Sequence, residues 1–370
     1  MATFVLFSHD GYGLGHVRRN TLIARALVTL APATRVVLVT GAAVRPRWLA
    51  DPRFSVVPVP ALVKDDEGVY RSADRSVEET LDRRADIFER VVDRTRPDVV
   101  LVDRHPYGTG GELRPGLALA RARGAVAVLG LRDILDDPAT IAAELKGAGW
   151  ADVPELYSEA LVYGASSLCD HAREYGIPLP LRYAGWVTSG PRALPVDPRL
   201  FVVAAGGGAD GEDVLRLGVE LLLACPGRQG IVVAGPYAKR GLVLQTRERL
   251  GRRIRLDSGR DGCTELFARA GAVLQMGGYN TTFEALAAGA RPIVVPRRSP
   301  RREQVIRASR LSALGLADVV DSGVAGDEVS WLLDRPRRLA PGALHAAQIS
   351  LDGARHAARR LLSAARVPVR

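Results

Sequence analysis

The sequence predicts an α/β protein built from two consecutive doubly wound domains, each with a mainly parallel sheet covered by helices. Short β-branched runs alternate with amphipathic stretches along the first half of the chain, which is the order of a βαβ succession. After a proline-bearing break the same alternation begins again. The 370 residues are enough for two domains that each bury a core.

The first domain is predicted to occupy residues 1–188. Its helices should form where apolar residues recur at helical spacing, in Val17–Leu30, Ser76–Arg94 and Glu112–Arg123. Its strand candidates are the short apolar runs Thr3–Ser8, Arg35–Thr40, Phe54–Pro58, Asp98–Val102, Ala125–Gly130, Ala160–Tyr163 and Arg182–Ala184.

A loose, proline-bearing stretch, residues 189–199, is predicted to be a linker. The second domain is predicted over residues 200–342, and a terminal helix within residues 343–370, with packing back on the first domain left open. Ligands of such sheets bind beyond the carboxyl ends of the strands, so two domains facing each other should form a cleft. The strand candidates here are Leu200–Ala204, Gly230–Ala234, Arg253–Leu256, Ala272–Gln275, Arg291–Val295 and Asp318–Val320.

The chain carries a formal net charge of +10, but Lys64, Lys146 and Lys239 are its only lysines. A generally arginine-rich surface is the favoured interpretation. A patch that attracts an anionic substrate or acidic lipid headgroups stays open, and with it peripheral contact with a membrane. A nucleic-acid-binding protein is disfavoured, because aromatic residues make up only 5% of the chain and no recognition-helix pattern is present.

The apolar runs have strand length and fall short of the roughly 20 residues that a membrane span needs. The first residues read as a β-strand rather than as a secretory leader. Cys169, Cys225 and Cys263 have no paired spacing, which argues against a cysteine-based zinc site and suits a reducing compartment. We therefore expect a cytoplasmic protein.

A glycine-rich turn that includes Gly13 and Gly15 joins the first strand to the first helix. Glycines let the backbone approach a ligand, and the N–H groups that open the next helix favour an anion or a polar group. The spacing is Gly-x-Gly-x-Gly rather than Gly-x-Gly-x-x-Gly, and the second strand ends in Thr40-Gly41 instead of an acidic residue. A nicotinamide-dependent oxidoreductase is therefore disfavoured.

The second domain contains a similar glycine-rich turn, with Gly206, Gly207 and Gly208 directly after its first strand. Three successive glycines cost folding entropy that a plain connection would not incur. We interpret them as a backbone cradle for a diphosphate, and the alternative is a tight turn without a ligand. No Gly-Lys-Ser/Thr follows, so the turn is not a Walker-type loop.

The most informative segment runs from Gln275 to Pro296. A strand ends at Gln275, Gly277 and Gly278 turn the chain, and a helix and a further strand follow. A diphosphate could rest on the N-terminus of this helix.

Polar residues stand at the start of that helix. Asn280 or Thr281 can cap it, and Thr281 and Thr282 should face whatever lies above the turn. Glu284 follows Asn280 by one helical turn on the same face, where its carboxylate can accept both hydroxyls of a ribose. A purely dipole-complementing role for Glu284 is the alternative, and the two roles are compatible.

This segment resembles the donor-site signature of family 28 of the GT-B glycosyltransferases, the MurG-like enzymes. In that family a Gly-Gly turn precedes a helix whose glutamate binds the donor ribose, and a Pro-containing strand and a Glu/Gln pair follow. Here Pro296 ends the strand and Arg301-Arg302-Glu303-Gln304 opens the next helix. The resemblance implies two GT-B domains, a nucleoside-diphosphate sugar donor (UDP by default), and contacts of Glu303 and Gln304 with sugar hydroxyls.

The chain is more similar still, to about Gly315, to a bacterial branch of predicted glycosyltransferases. These proteins begin with His-Asp-Gly-x-Gly-x-Gly-His-x-Arg-Arg, which is matched from His9 to Arg19, and they share segments like Val102–Gly108, Gly130–Ile134 and Tyr163–Ala165. The acceptor-side loops differ from those of the MurG-like enzymes, so the acceptor of that family does not carry over.

An inverting enzyme of this kind needs a base for the acceptor. His16 is the first candidate, because the family's matching histidine faces the acceptor and an imidazole takes a proton near neutral pH. A capping or acceptor-binding role for His16 stays open. Asp103 is the second candidate, since it ends a buried strand where burial could raise its pKa. His105, Arg132 and Asp133 are expected to shape the acceptor pocket.

No carboxylate cluster stands out as a metal site, so neither a metal nor a cofactor is expected. The charge of the leaving diphosphate must then be met by backbone N–H groups and by cations. The candidate cations are Lys239, Arg240, Arg298 and Arg302.

The sequence thus predicts transfer of a hexose-type sugar from a nucleoside-diphosphate sugar to the hydroxyl or amine of an acceptor that it does not identify. A nucleotide-sugar epimerase on the same architecture is the enzymatic alternative, because its donor pocket would look alike. It would need acid and base carboxylates deep in the cleft and no acceptor.

Overall fold

The computed structural model describes residues 1–9, 14–42, 47–64, 70–72, 74–190, 194–207, 210–235, 238, 240–257 and 262–367. The chain divides into two compact units, each described by itself below. Unit 1 contains Met1–Val187 together with the chain from Asp352 onward, and unit 2 contains Thr188–Leu351. Unit 2 is therefore an insertion in unit 1.

The strands of the described part are β1 (Thr3–Ser8), β2 (Arg35–Thr40), β3 (Ser55–Pro58), β4 (Val63–Lys64), β5 (Tyr70–Arg71), β6 (Val99–Asp103), β7 (Val126–Arg132), β8 (Glu159–Tyr163), β9 (Leu181–Tyr183), β10 (Asp197–Ala204), β11 (Gln229–Val233), β12 (Ile254–Asp257), β13 (Ala270–Gln275), β14 (Ile293–Val294) and β15 (Asp318–Val319).

Its α-helices are α1 (Gly15–Leu30), α2 (Val77–Thr95), α3 (Arg114–Ala122), α4 (Pro138–Leu145), α5 (Val153–Leu156), α6 (His171–Tyr175), α7 (Glu212–Ala224), α8 (Arg240–Leu250), α9 (Thr264–Arg269), α10 (Tyr279–Ala287), α11 (Glu303–Ala313), α12 (Gly326–Val329), α13 (Ala343–Ala346) and α14 (Gly353–Ala364). Short 3-10 turns cover Arg47–Leu49, Ala148–Trp150, Gly251–Arg253 and Ser330–Asp334.

Each unit is built on one parallel sheet. The order in unit 1 is β3-β2-β1-β6-β7-β8-β9, and the order in unit 2 is β12-β11-β10-β13-β14-β15. All neighbouring strands in both sheets run parallel. The strand order reverses between β1 and β6 in unit 1 and between β10 and β13 in unit 2. Ligands of doubly wound sheets bind at such switch points, beyond the carboxyl ends of the strands.

The central strands are apolar because helices cover both of their faces. Phe4, Val5, Leu6 and Phe7 of β1 are all fully buried. In unit 2 alternate residues of one strand enter two separate cores, since successive side chains of a strand point to opposite faces. Val203 and Leu274 lie in one core, and Val202 and Val273 lie in the other.

Helix α2 shows how local sequence sets an element. Ser76 and Glu79 form a capping box at its start, each side chain accepting the other's backbone N–H at 3.1 Å. Arg84 and Phe88 lie on its buried face, one turn apart. The helix stops at Arg96, whose left-handed φ of 44° is common at helix C-termini.

The end of the chain completes unit 1. Helix α14 packs on α1, and its Arg360 Nε donates to Glu159 Oε1 of β8 at 2.7 Å. An isolated antiparallel bridge joins Val187 to Asp352, where the chain leaves unit 1 and where it returns.

The predicted fold class, two doubly wound α/β domains, is confirmed, and every predicted strand is present with ends within three residues of the expected ones. Two predictions were wrong in detail. The linker predicted at residues 189–199 already contains the start of β10 at Asp197. The terminal helix predicted from Ala343 is two helices, α13 and α14, and Gln348 between them has a left-handed φ of 57°.

Candidate active site

In unit 1, titratable side chains gather at the switch point of the sheet. His9 follows β1, Asp103 ends β6, and His105 comes two residues later. His16 is the second residue of α1, whose N-terminus lies after β1. The connection from β1 to α1 includes Gly13, which lies outside the described residues, whereas Gly15 is the first residue of α1.

A buried ion pair holds the two base candidates together. The Arg19 guanidinium donates to both oxygens of Asp103, with Nη2 at 2.9 Å from Oδ1 and 2.6 Å from Oδ2. His16 Nδ1 lies 3.4 Å from Asp103 Oδ2 and 3.0 Å from Arg19 Nη2. Asp103 is completely buried, whereas the side chain of His16 keeps 21% of its surface exposed. Of the two, only the imidazole can meet a substrate.

The expectation that burial raises the pKa of Asp103 was wrong. Burial acts in that direction, but Arg19 and then His16 outweigh it and hold the pKa of Asp103 below its usual value. Burial lowers the pKa of His16, and Asp103 offsets only part of that effect. At neutral pH the pair therefore consists of a carboxylate and a neutral imidazole.

His9 belongs to this cluster, although sequence reasoning gave it no role. It is only 6% exposed, and its ring meets His105 edge-on at 4.3 Å between centroids and His16 at 5.9 Å. Tyr70 Oη lies 3.3 Å from His9 Nε2. Burial, followed by the nearby His16, lowers the pKa of His9 well below its usual value. The signal that could have found His9 is its place directly after the first strand.

The remaining acceptor-side residues fall into two groups. His105 Nδ1 lies 4.0 Å from Glu144 Oε1 and belongs to the cluster. Arg132 ends β7, and its carbonyl oxygen lies 2.9 Å from His171 Nε2. Asp133 is buried and accepts the indole N–H of Trp186 at 3.1 Å, so its carboxylate is engaged within the fold.

In unit 2, glycines line the carboxyl edge of β10. Gly206 and Gly207 follow β10, and no atom of the described residues beyond their chain neighbours lies within 4 Å of where a side chain on either would begin. Behind them the backbone is tight, because a Cβ on Gly235 would lie 2.4 Å from the carbonyl oxygen of Gly206. The turn is thus packed from behind and open in front. Gly208 and Lys239 lie outside the described residues.

The second turn, after β13, has the same character. Gly277 has a φ of 90°, which favours glycine, and a Cβ on Gly278 would meet no described residue within 4 Å beyond its chain neighbours. The buried Arg307 of α11 donates to the carbonyl oxygen of Gly277 at 2.9 Å and so fixes the turn from below. Helix α10 begins one residue later, and its positive end lies at this turn.

The start of α10 differs from the prediction. Gly278 is the N-cap, so neither Asn280 nor Thr281 caps the helix, and both stand in its first turn. Thr282 does not face the open side of the turn, because its side chain is buried and its hydroxyl donates to Gln275 Oε1 at 3.3 Å.

Glu284 lies in the second turn of α10 and is 4% exposed. One of its oxygens, Oε2, accepts the backbone N–H of Cys263, the N-cap of α9, at 3.2 Å. Glu284 therefore complements the start of a neighbouring helix rather than the first turn of its own. This contact is compatible with a ribose on the same carboxylate.

Glu303 and Gln304 open α11, as the sequence predicts, with the exposed Arg302 as N-cap. Both are organised by Arg297, a residue that sequence reasoning missed. Arg297 Nη2 donates to Glu303 Oε1 at 3.0 Å, and the Arg297 backbone N–H donates to Gln304 Oε1 at 3.1 Å. Arg298, named as a candidate cation, is 60% exposed and pairs with the exposed Asp321.

No group of three or more metal-ligating side chains lies together in the part of the chain that the structure describes. Within the same residues no helix is both long and apolar enough to cross a lipid bilayer.

The sequence matches no family model and no curated protein. Solved structures match along nearly the whole chain. MurG of Acinetobacter baumannii is 13% identical with a TM-score of 0.58, covering 97% of this chain and 94% of that one.

Two further matches are similar in extent. UGT2 of Phytolacca americana, complexed with UDP-2-fluoro-glucose and pterostilbene, is 15% identical with a TM-score of 0.59 and coverage of 98% and 94%. A UDP-N-acetylglucosamine 2-epimerase is 11% identical with a TM-score of 0.63 and coverage of 98% and 94%. At these identities the likeness concerns architecture, and it confirms the predicted one: the chain has the GT-B fold.

Proposed function

We propose that the protein is a metal-independent, inverting glycosyltransferase that moves a hexose-type sugar from a nucleoside-diphosphate sugar to an acceptor hydroxyl or amine. One observation carries this proposal. The switch point of each sheet is equipped for one half of that reaction, with open glycine turns in unit 2 and a base-type cluster in unit 1.

The donor half rests on unit 2. Gly206 and Gly207 after β10 and Gly278 after β13 leave open space beside two backbone turns, and α10 directs its positive end at the second. Such an arrangement suits a diphosphate. We assign Glu284 to the ribose of the same nucleotide, and Glu303 and Gln304 to the sugar, as the resemblance implies. UDP is the default nucleotide, in keeping with the UDP-sugar complex of the plant neighbour.

The acceptor half rests on His16. To act as a base, the neutral ring would take the acceptor proton on Nε2 and carry its own proton on Nδ1, directed at Asp103 Oδ2 at 3.4 Å. This is the tautomer in which Nδ1–H donates to Asp103, in place of the one in which Nδ1 accepts from Arg19 Nη2 at 3.0 Å. Asp103 would stabilise the imidazolium that forms. Because Arg19 holds Asp103 ionised, the carboxylate would not take that proton itself. The acceptor oxygen bonds to the anomeric carbon while the bond from that carbon to the diphosphate breaks and leaves its electron pair on the diphosphate.

A nucleotide-sugar epimerase is the alternative, because two structural neighbours carry that activity in their names. The described cluster of unit 1 disfavours it, because Asp103 is tied to Arg19 and fully buried, whereas an epimerase needs carboxylates that reach the sugar.

A ligand screen followed by product analysis tests the proposal. We expect UDP and a UDP-hexose to raise the melting temperature, and incubation with acceptor extracts to release UDP while an extract component gains the mass of a hexose. Conversion of the UDP-sugar into an isomer without acceptor would establish the epimerase instead. Absence of any shift across nucleoside diphosphates and their sugars would reject both.

A further inference from the structure

An ion pair spans the switch point of the unit 2 sheet. Asp210 follows the glycine turn after β10, and Arg297 follows β14. Arg297 Nη1 donates to Asp210 Oδ2 at 2.5 Å. Strand β13 lies between β10 and β14 in the sheet, so the two parent strands are roughly 10 Å apart, two strand spacings. The bridge therefore crosses the carboxyl end of β13, where the Gly277–Gly278 turn begins.

The guanidinium is held firmly on one side only. Glu303 Oε1 accepts from Nη2 at 3.0 Å, and this carboxylate is 6% exposed. Asp210 on the other side is 39% exposed and follows a glycine turn. The buried Glu303 thus fixes the position of Arg297, while the exposed Asp210 covers the outer edge of the guanidinium and can be replaced there.

Stability does not explain the outer contact, since ion pairs this exposed contribute little to it. Arg297 Nε is buried and has no hydrogen-bond partner within the described residues. Burial alone would lower the pKa of Arg297, but Glu303 and Asp210 outweigh it and raise that pKa, so the group stays charged.

We infer that Arg297 binds the diphosphate of the donor and that Asp210 occupies its outer edge only until the donor arrives. The inference rests on the proposed nucleoside-diphosphate site and adds the cation that neutralises its leaving group. A planar guanidinium binds phosphate oxygens through two parallel N–H groups and cannot be deprotonated near neutral pH. The incoming diphosphate carries more charge than Asp210 and displaces that carboxylate toward solvent.

The chemistry at the anomeric carbon gives Arg297 its role in turnover. When the bond from that carbon to the diphosphate breaks, negative charge develops on the outer phosphate, beside a guanidinium that Glu303 already holds in place. A preorganised donor at that position stabilises the leaving group without reorganisation.

UDP and UMP differ only by the outer phosphate, so a comparison of their affinities measures the contribution of that phosphate to binding. Calorimetry with Arg297→Gln should show at least tenfold weaker binding of UDP, with UMP within about twofold of wild type. Arg297→Lys keeps the positive charge but not the planar pair of N–H groups. Its affinity for UDP should lie between those of wild type and Arg297→Gln. Asp210→Asn should bind UDP as well as wild type or better, because a competing carboxylate is gone.

Arg216→Gln is the matched control. Arg216 pairs with Glu220 on α7 with similar exposure, 32% and 26%, and also donates to the carbonyl oxygen of Val324, so its contacts lie within the fold. It should leave the affinities for UDP and UMP unchanged. Circular dichroism and melting temperature establish that each variant is folded.

The outcomes separate the two levels of the proposal. If wild type binds UDP but Arg297→Gln binds it equally well, or loses UDP and UMP alike, the role of Arg297 is wrong and the donor site stands. If wild type binds no nucleoside diphosphate, the donor site and the role of Arg297 fall together.

Discussion

Glu284 faces two partners, the start of α9 and the proposed ribose, and the two can be separated by substitution. Glu284→Ala removes both and should weaken UDP-sugar binding by about 1.5–3 kcal/mol, the contribution of a hydrogen bond to a charged group. It should also lower the melting temperature, because the N–H of Cys263 loses its acceptor. Titration calorimetry and thermal unfolding measure the two effects.

Glu284→Gln is the informative partner variant. Its amide oxygen can still accept from Cys263, so stability should return toward wild type while donor affinity stays reduced. Wild-type affinity in a folded Glu284→Ala protein would mean that the carboxylate serves α9 alone.

His16 should govern the rate and its dependence on pH. His16→Ala should lower kcat by about 10²–10⁴, the usual range for a positioned base, with donor affinity nearly unchanged. Burial holds the pKa of His16 below its ordinary value of 6.5, and a base works in its neutral form. The midpoint of the acidic fall in rate should therefore lie below pH 6.5, which a pH–rate profile measures.

The alternative roles of His16 leave different kinetic signatures. If His16 only orients the acceptor, the acceptor KM should rise while kcat stays within roughly tenfold. Asp103→Asn leaves the imidazole in place but removes its carboxylate partner. Its kinetics must be read together with its melting temperature, because Arg19 would lose a buried counterion.

Arg84 and Glu112 form a second buried pair, each side chain only 1% exposed, with Nε and Oε1 3.0 Å apart. Arg84→Met leaves the buried carboxylate of Glu112 without its counterion. This should lower the free energy of unfolding by about 3–5 kcal/mol, measured by urea denaturation. The double variant Arg84→Met/Glu112→Leu should recover much of this loss. Equal destabilisation in the single and double variants would show that packing, rather than the stranded charge, dominates.

At the scale of elements, the glycine turn after β10 depends on a glycine from the next strand. A Cβ on Gly235 would collide with the backbone of Gly206 and Gly207, and its φ of 83° is unfavourable for alanine. Gly235→Ala should therefore displace the turn and lower both the melting temperature and the UDP affinity. Gly241 on α8 has open space around its Cβ position, so Gly241→Ala should be neutral or stabilising by about 0.5–1 kcal/mol.

The elements themselves could be predicted because their signals are local. Strand β1 is a short apolar run, α2 starts at a capping box, and the Gly277–Gly278 turn lies where the pattern changes from strand to helix. The terminal helix was drawn too long because composition alone does not show the break at Gln348.

The roles of His9 and Arg297 depend on sheet order, which periodicity does not encode. Arg297 meets Asp210, 87 residues away in sequence, only because β10 and β14 flank β13. Arg19 and Asp103 likewise meet across 84 residues because β1 and β6 are neighbours. The sequence places His16 at the first glycine-rich turn and Asp103 at a strand end, but it does not show that an arginine would bind the carboxylate.

At the scale of the whole molecule, the proposed mechanism assigns the charge of the leaving diphosphate to protein groups alone. Transfer should therefore be unaffected by EDTA and unaffected by added magnesium or manganese. Initial rates after chelation and gel filtration measure this. Loss of transfer on chelation with recovery on adding a divalent ion would overturn the metal-independent mechanism.

The insertion of unit 2 within unit 1 sets an order for synthesis on the ribosome. Unit 2 has its whole sequence once Leu351 has emerged, whereas unit 1, which begins before unit 2 in the chain, lacks α14 until residues 353–364 have emerged as well. The half that is translated first is thus the half that is finished last. Until then the surface of α1 that α14 covers remains open, and exposed apolar surface of this kind is what chaperones bind in incomplete chains.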